Sequence, residues 1–271
     1  MKIFAIRDEC CPEANDLGYL LYYETEKRFY IELPEDADPW ETPLLLSSFI
    51  KRGERTVNSY WSKVWVQQRI VPQDRQNIGM VLRDNHLSQY DEFDLLMLTM
   101  GRCAQDNYYL APIDEGKLPK GIRHRFEKRI EDIVPLENLA LLVFFRDGST
   151  KKCSLASYFQ TKRAFSIFLS KPEFFELVRL QTGGYGVYWD DDRFISDTEL
   201  YQMGIDVPLC AADFKNFVIH RVINAAEAAE LLGCSRQNIM DLTKRGKLHP
   251  IKTSGKSTLF LKSEVLKRNW Q

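Results

Sequence analysis

The chain is poor in the residues that build metal and nucleophilic sites. Six cysteines, at positions 10, 11, 103, 153, 210 and 234, and four histidines, at 86, 124, 220 and 249, are scattered over 271 residues. No Cys-x-x-Cys pair occurs and the spacing fits no zinc pattern. Six cysteines in a chain of this length are too few for a disulfide scaffold, so the expectation is reduced, mostly buried thiols in a cytoplasmic protein. No histidine lies in a His-x-x-x-His or His-Glu context, and no Gly-x-Ser-x-Gly is present. The sequence is therefore read as that of a non-enzyme, with no catalytic residue, no metal and no cofactor. No apolar run approaches the roughly 18 residues that a membrane span needs. The start, Met1-Lys2-Ile3-Phe4-Ala5-Ile6-Arg7-Asp8-Glu9, turns acidic without a signal-peptide apolar region, so a cytoplasmic protein with no membrane partner is expected.

Two further runs lack what their chemistry would require. Gly183-Gly184-Tyr185-Gly186 precedes no helix and has no Gly-Lys-Ser/Thr ending, so it reads as a hairpin bend, not a phosphate loop. Asp190-Asp191-Asp192 has neither the alternation nor the central glycine of an EF-hand, so it reads as a solvated loop.

What is present is a basic tail on an acidic body. Hydrophobic residues make up 44% and charged residues 28%, a globular composition with a net charge of only −1. From His220 to Gln271, however, 10 Lys/Arg face 4 Asp/Glu, whereas the remaining 219 residues hold 27 against 34. Such an asymmetry is expected where one domain meets phosphate.

A motif accompanies the charge. Asn224-Ala225-Ala226-Glu227 reads as an N-cap with Glu at the third helical position. A short helix follows to Leu232 and stops at Gly233; Ser235 then caps a second helix, Arg236 to Arg245, stopped by Gly246. So tight a joint forces the helices to cross steeply, as in a helix-turn-helix. Ala228, Ala229 and Leu232 can pack on Ile239 and Leu242, leaving Arg236, Gln237, Asn238 and Asp241 for the outer face. Arg, Gln and Asn are side chains that read base edges in the major groove, and Ser235 with the free N–H groups beside it can hold a phosphate. Two strands, Lys247 to Lys252 and Ser257 to Leu261, around Thr253-Ser254-Gly255-Lys256 predict a β-hairpin wing carrying Lys252 and Lys256 near its tip. Ser263 is expected to cap a last helix, Glu264 to Arg268.

The run Ala225-Ala226-Glu227-Ala228-Ala229-Glu230-Leu231-Leu232-Gly233-Cys234-Ser235-Arg236-Gln237-Asn238-Ile239, with Lys244-Arg245-Gly246-Lys247-Leu248, resembles the winged helix-turn-helix modules of the excisionase and MerR families. The resemblance implies binding of double-stranded DNA, most often for transcription control or for phage and plasmid functions. The expected contact residues are Ser235, Arg236, Gln237, Asn238, Asp241, Lys244, Arg245, Lys247, Lys252, Lys256 and Ser257.

Upstream, Leu139 to Phe145 and Thr150 to Leu155 flank the turn Arg146-Asp147-Gly148-Ser149. Short helical pieces, a strand pair at Val178–Thr182 and Val187–Trp189, and a capped helix from Ser196 complete an α+β unit. The apolar strand ending in Asp147-Gly148, then Gly183-Gly184-Tyr185-Gly186-Val187-Tyr188-Trp189, Ile195-Ser196 and Leu200-Tyr201, resembles the bacterial domain-of-unknown-function family 2442, which implies a small α+β fold and no agreed activity.

The front predicts a hairpin, Tyr19–Glu24 and Arg28–Leu33, then helices at Leu44–Lys51, Asn58–Ile70, Arg75–Asn85 and Asp91–Met100, and a strand at Asp106–Ile113. The aromatic hairpin, Arg69-Ile70-Val71-Pro72, Asn77-Ile78-Gly79-Met80-Val81-Leu82-Arg83, and Tyr90-Asp91-Glu92-Phe93-Asp94-Leu95-Leu96 before Gly101-Arg102-Cys103 resemble the N-terminal subdomain of the HipA toxin kinases. The kinase core of that family would need a few hundred further residues, so the resemblance implies a partner-binding surface and not phosphoryl transfer.

The expected architecture is α+β multidomain: an N-terminal mixed α/β domain over residues 1–118, a small α+β domain over 130–208 and a winged helix-turn-helix over 214–271. The expected function is a sequence-specific DNA-binding transcriptional regulator, as a homodimer, since one small module rarely gives high affinity alone. The alternative is an interaction protein of a toxin–antitoxin or phage-defence system that binds a protein partner through residues 1–210.

Overall fold

The computed structural model describes residues 1–267 apart from Pro12, Ala14 and Lys256. It is a mixed α/β structure with four antiparallel sheets among the described residues. The first has the strand order Thr56–Val57, Arg28–Glu32, Gly18–Tyr23, Lys2–Asp8, Tyr108–Ile113. Its central strands are buried on both faces, which explains why they lack clean polar alternation. Phe4, Ile6, Leu20, Tyr22 and Ile31 point to one side and pack on Leu46, Phe49, Trp65, Val66, Phe93 and Leu96 of the helices Leu44–Lys51, Ser59–Gln67 and Glu92–Thr99. Ile3, Ala5, Tyr19, Leu21 and Tyr30 point to the other and meet Leu118, Ile122, Phe126 and Tyr185.

Those last residues correct an expectation. Residues 119–129 fall between the two expected front domains, yet they form the helix Lys120–Glu127 and cover the open face of the first sheet. Charge dominates that stretch, while only Ile122 and Phe126 carry its apolar side, a signal too thin to read as a helix. The first strand, Lys2–Asp8, was likewise not expected.

The second sheet runs Ile205–Asp206, Thr150–Ser154, Ala140–Phe145, Ile130–Leu136, and the third Phe194–Ser196, Gly186–Tyr188, Arg179–Leu180. The glycine-rich run makes the turn between the last two strands, through a short 3-10 turn at Thr182–Gly184. Phe145, Phe159, Phe165, Phe168 and Phe175 fill the core behind them, with Trp189 closing over Phe175, to whose carbonyl its indole N–H donates at 2.9 Å. The helix Asp197–Met203 opens with the reciprocal cap of Ser196 and Glu199. Asp190 accepts the backbone N–H groups of Asp192 and Arg193 and pairs with the Arg193 guanidinium, which accounts for the carboxylate run as a loop.

The thiols also differ from expectation: among the six, Cys153 alone is buried, whereas Cys10, Cys11 and Cys210 are exposed. Cys10 and Cys11 sit in the turn leaving the first strand, where the Cys10 N–H is tied to Asp8 and neither side chain has a core to enter. No helix among the described residues is long and apolar enough to cross a membrane.

Candidate nucleic-acid interface

The C-terminal module is built around a core of Ile223, Ala228, Ala229, Ile239, Leu248, Phe260 and Val265. Its first helix, Ala225–Leu231, is fixed at the start by Asn224, whose carboxamide oxygen accepts from the N–H groups of Ala226 and Glu227 while Glu227 reaches back to the Asn224 N–H at 2.7 Å. It ends in two reverse bonds, Cys234 N–H to the Ala229 carbonyl and Gly233 N–H to the Glu230 carbonyl. The second helix, Arg236–Lys244, ends the same way, with Lys247 bonded to Leu242 and Gly246 to Thr243. Both closures are Schellman motifs and require a left-handed residue, supplied by Gly233 at φ +60° and Gly246 at φ +64°. Alanines at 228 and 229 let the second helix approach until Ile239 is sealed from solvent.

That seating decides what the second helix shows. Ser235 caps it, accepting from the Asn238 N–H at 3.2 Å. With Ile239 turned inward, Arg236, Gln237 and Asn238 are exposed on its first turn, as expected. Asp241 is only half-exposed and accepts from the Gln237 carboxamide at 3.3 Å, so it positions Gln237 as well as facing outward. Lys244, Arg245 and Lys247 are exposed around the Gly246 turn, Arg245 capping the helix instead of ending it.

The wing is shorter than expected on its first strand. Lys252–Ser254 pairs with Ser257–Leu261, in the register Lys252–Leu259 and Ser254–Ser257. Residues 247–250 are not strand: Pro250 has no N–H to donate, and the ladder begins only with the Ile251 N–H on the Leu259 carbonyl at 2.9 Å. Lys252 and Ser257 are exposed on this hairpin, while Lys256 lies outside the described residues.

Two supports were not legible. Val222–Asn224 adds a third strand, setting Ile223 opposite Phe260. Glu264 accepts from the His249 backbone N–H at 3.0 Å and lies 3.1 Å from its ring Nδ1, tying the last helix to the start of the wing. That helix runs Lys262–Lys267 and follows the strand without a break, so Ser263 lies inside it instead of capping it; Arg268 lies outside the described residues.

The charge consequence is direct. Of the module's four carboxylates, Glu227, Asp241 and Glu264 are occupied by hydrogen bonds within it. The cations Arg236, Lys244, Arg245 and Lys252 are exposed on the second helix, the turn after it and the wing.

Residues 222–268, less than a fifth of the chain, match a family model described as a helix-turn-helix domain. Neither the curated proteins nor the solved structures yield a match to the chain.

Proposed function

We propose that this chain is a duplex-DNA-binding regulator whose C-terminal module, over residues 214–271, reads the major groove. The observation that carries this reading is the first turn of the helix Arg236–Lys244: three consecutive side chains able to bond base edges, Arg236, Gln237 and Asn238, exposed beside a sealed Ile239. Ser235 and the start of that helix face phosphate, and Lys252 on the wing meets the backbone alongside. The closer kinship with excisionase and MerR modules, a cytoplasmic setting and transcription control belong to this same reading. The front, 1–118 and 130–208 with the helix Lys120–Glu127 between them, senses or recruits. Selection of genomic fragments by the full chain at low salt, followed by gel shift, tests it: enrichment of a common sequence is expected, and no retained duplex at low salt overturns it.

A second role for the front is supported by apolar side chains left in solvent there. Trp40 and Leu44 are more than four-fifths exposed, and Tyr60 with Trp61 forms an edge-on pair on the next helix. A protein partner of the kind found in toxin–antitoxin or phage-defence systems would bury them. Affinity capture by the full chain, set against a Trp40→Ala/Tyr60→Ala variant, tests this: a stoichiometric partner retained by both chains, or by neither, rejects these residues as its site.

A further inference from the structure

The helix Ala211–Arg221 joins the middle of the chain to the helix-turn-helix and has no buried residue along its eleven positions. Phe214 alone is anchored, its ring edge-on to Phe144 at 5.4 Å. Phe217, Val218 and Ile219 are each more than half exposed. At about 100° per residue these three spread over about 200° of the helix, so one contact can cover Phe217 but not all of them, and it is the ring of Phe217 left in solvent that marks an unfilled contact.

The pattern of charge on this helix says what fills it. At about 100° per residue, positions four apart drift by only about 40°, so Asp213, Phe217 and Arg221 form one stripe. The acid stands at the N-terminal end, where it also holds the Cys210 N–H at 2.8 Å, and the bases His220 and Arg221 stand at the C-terminal end. Laid antiparallel on a second copy about a two-fold axis through Phe217, the stripe is complementary to itself. Phe217 meets the partner's Phe217, Asp213 meets the partner's Arg221, and two-fold symmetry repeats the ion pair. The antiparallel dipoles add to the fit.

We infer that Ala211–Arg221 is a self-pairing helix, and that its occupant is the same helix of a second copy of this chain. One pair of eleven-residue helices covers less than the roughly 800 Å² per partner of a standard interface, so the dimer is weak, with a Kd on the order of micromolar. Its use rests on the DNA-binding reading: the helix runs directly into Val222–Asn224, so pairing here brings two reading modules together for a site of two half-sites. The pairing itself needs no DNA.

Sedimentation of the full chain without DNA, over a concentration series, tests the inference. The weight-average mass should rise from 31.7 kDa toward twice that value. Phe217→Glu should hold the chain monomeric throughout. Asp213→Arg and Arg221→Asp should each weaken the dimer by about tenfold or more, because each sets like charges opposite at two symmetric places. The double exchange should return the affinity to within about threefold, which loss of the Asp213 cap alone would not do. A chain that stays monomeric, a dimer indifferent to Phe217→Glu, or a double exchange no tighter than the singles overturns it, as does uptake of the monomer by anionic vesicles in place of pairing. Gel shifts keep the two readings apart. A dimer that binds no duplex sinks the DNA reading alone, and duplex binding by a strict monomer sinks the pairing alone.

Discussion

Arg129 donates to Glu32 across 2.6 Å in a region where neither side chain is more than 4% exposed. Its other terminal nitrogen donates to Asp197 at 2.6 Å, and its guanidinium lies 3.7 Å from the ring of Tyr185, whose hydroxyl donates to Glu32. Arg125 adds a second cation to Glu32 at 3.0 Å. One arginine, placed just after the helix Lys120–Glu127, thus binds the end of the strand Arg28–Glu32 to the start of the helix Asp197–Met203. Burial opposes the charge on Arg129, but Tyr185, Glu32 and Asp197 together hold its pKa above the ordinary value.

The first prediction follows from that geometry. Arg129→Met should destabilise the chain by about 3–5 kcal/mol in urea unfolding, since it leaves the buried Asp197 without its cation and Glu32 with Arg125 alone. Burial already pushes the Asp197 carboxyl above its usual range, against the pull of Arg129. Without Arg129 that upward shift grows. A carboxyl whose folded pKa is raised contributes stability at low pH and loses it as pH rises through the folded value. The gap between variant and parent should therefore narrow toward acid pH and widen toward neutrality. A pH-independent gap would remove Asp197 from the account.

The elements that were legible in advance are those whose ends are written locally. Leu44–Lys51 falls where expected, bounded by Pro43 and the left-handed Gly53, and so do the caps at Asn224, Ser235 and Ser196, because such end signals act within four residues of themselves. The outer face of the helix Arg236–Lys244 was legible for the same reason: once Ile239 is inside, Arg236 to Asn238 are outside. What was not legible depends on distant chain. The strand Val222–Asn224 is three residues long and is defined by Phe260; the role of Arg129 is defined by Glu32, Tyr185 and Asp197, between 56 and 97 positions away. The helix Ala211–Arg221 escaped for a different reason: with no buried side, it has no single apolar stripe to find.

The interface makes the second prediction. Arg236→Ala and Gln237→Ala should each cost roughly 1–3 kcal/mol of DNA affinity and relax the preference at one or two base pairs, as read by anisotropy on the selected sequence and its single-position variants. Lys252→Ala should weaken selected and unrelated duplexes alike and lower the salt slope by about 1, the signature of a phosphate contact. If Lys252→Ala altered sequence preference and Arg236→Ala did not, the helix and wing roles would be reversed.

The joint of the helix-turn-helix makes the third. At Gly233 an added Cβ meets nothing within 4 Å, so any cost of substitution comes from backbone strain at φ +60° and not from collision. Gly233→Ala should destabilise the chain by about 1–2 kcal/mol, and Gly233→Asn by less, since Asn tolerates the left-handed region. Asn224→Ala should cost about 1 kcal/mol through the lost cap. Thermal unfolding ranks the three; equal losses for Ala and Asn at 233 would mean that strain is not the cause.

The thiols make the last. Cys153 lies sealed between Leu141 and Leu155, its thiol near the Leu200 carbonyl at 3.3 Å, and burial pushes its pKa up to about 11 from an ordinary 9.0. Near pH 8, a thiol reagent should therefore modify Cys10, Cys11 and Cys210 quickly, Cys103 and Cys234 more slowly, and Cys153 only on unfolding. Across the alkaline window the folded chain keeps a proton that the unfolded chain has released, so the protonated thiol favours folding at pH 8 and that preference fades as pH rises from about 9 to about 11. Cys153→Ala would lose packing at every pH, but it should also flatten this part of the stability profile. The phenol of Tyr185, held well above its usual value first by burial and then by Glu32, titrates in the same direction and remains in the variant. A slope that survives in Cys153→Ala and disappears in Tyr185→Phe would assign the alkaline loss to the phenol at Glu32 and Arg129 and take it away from the thiol.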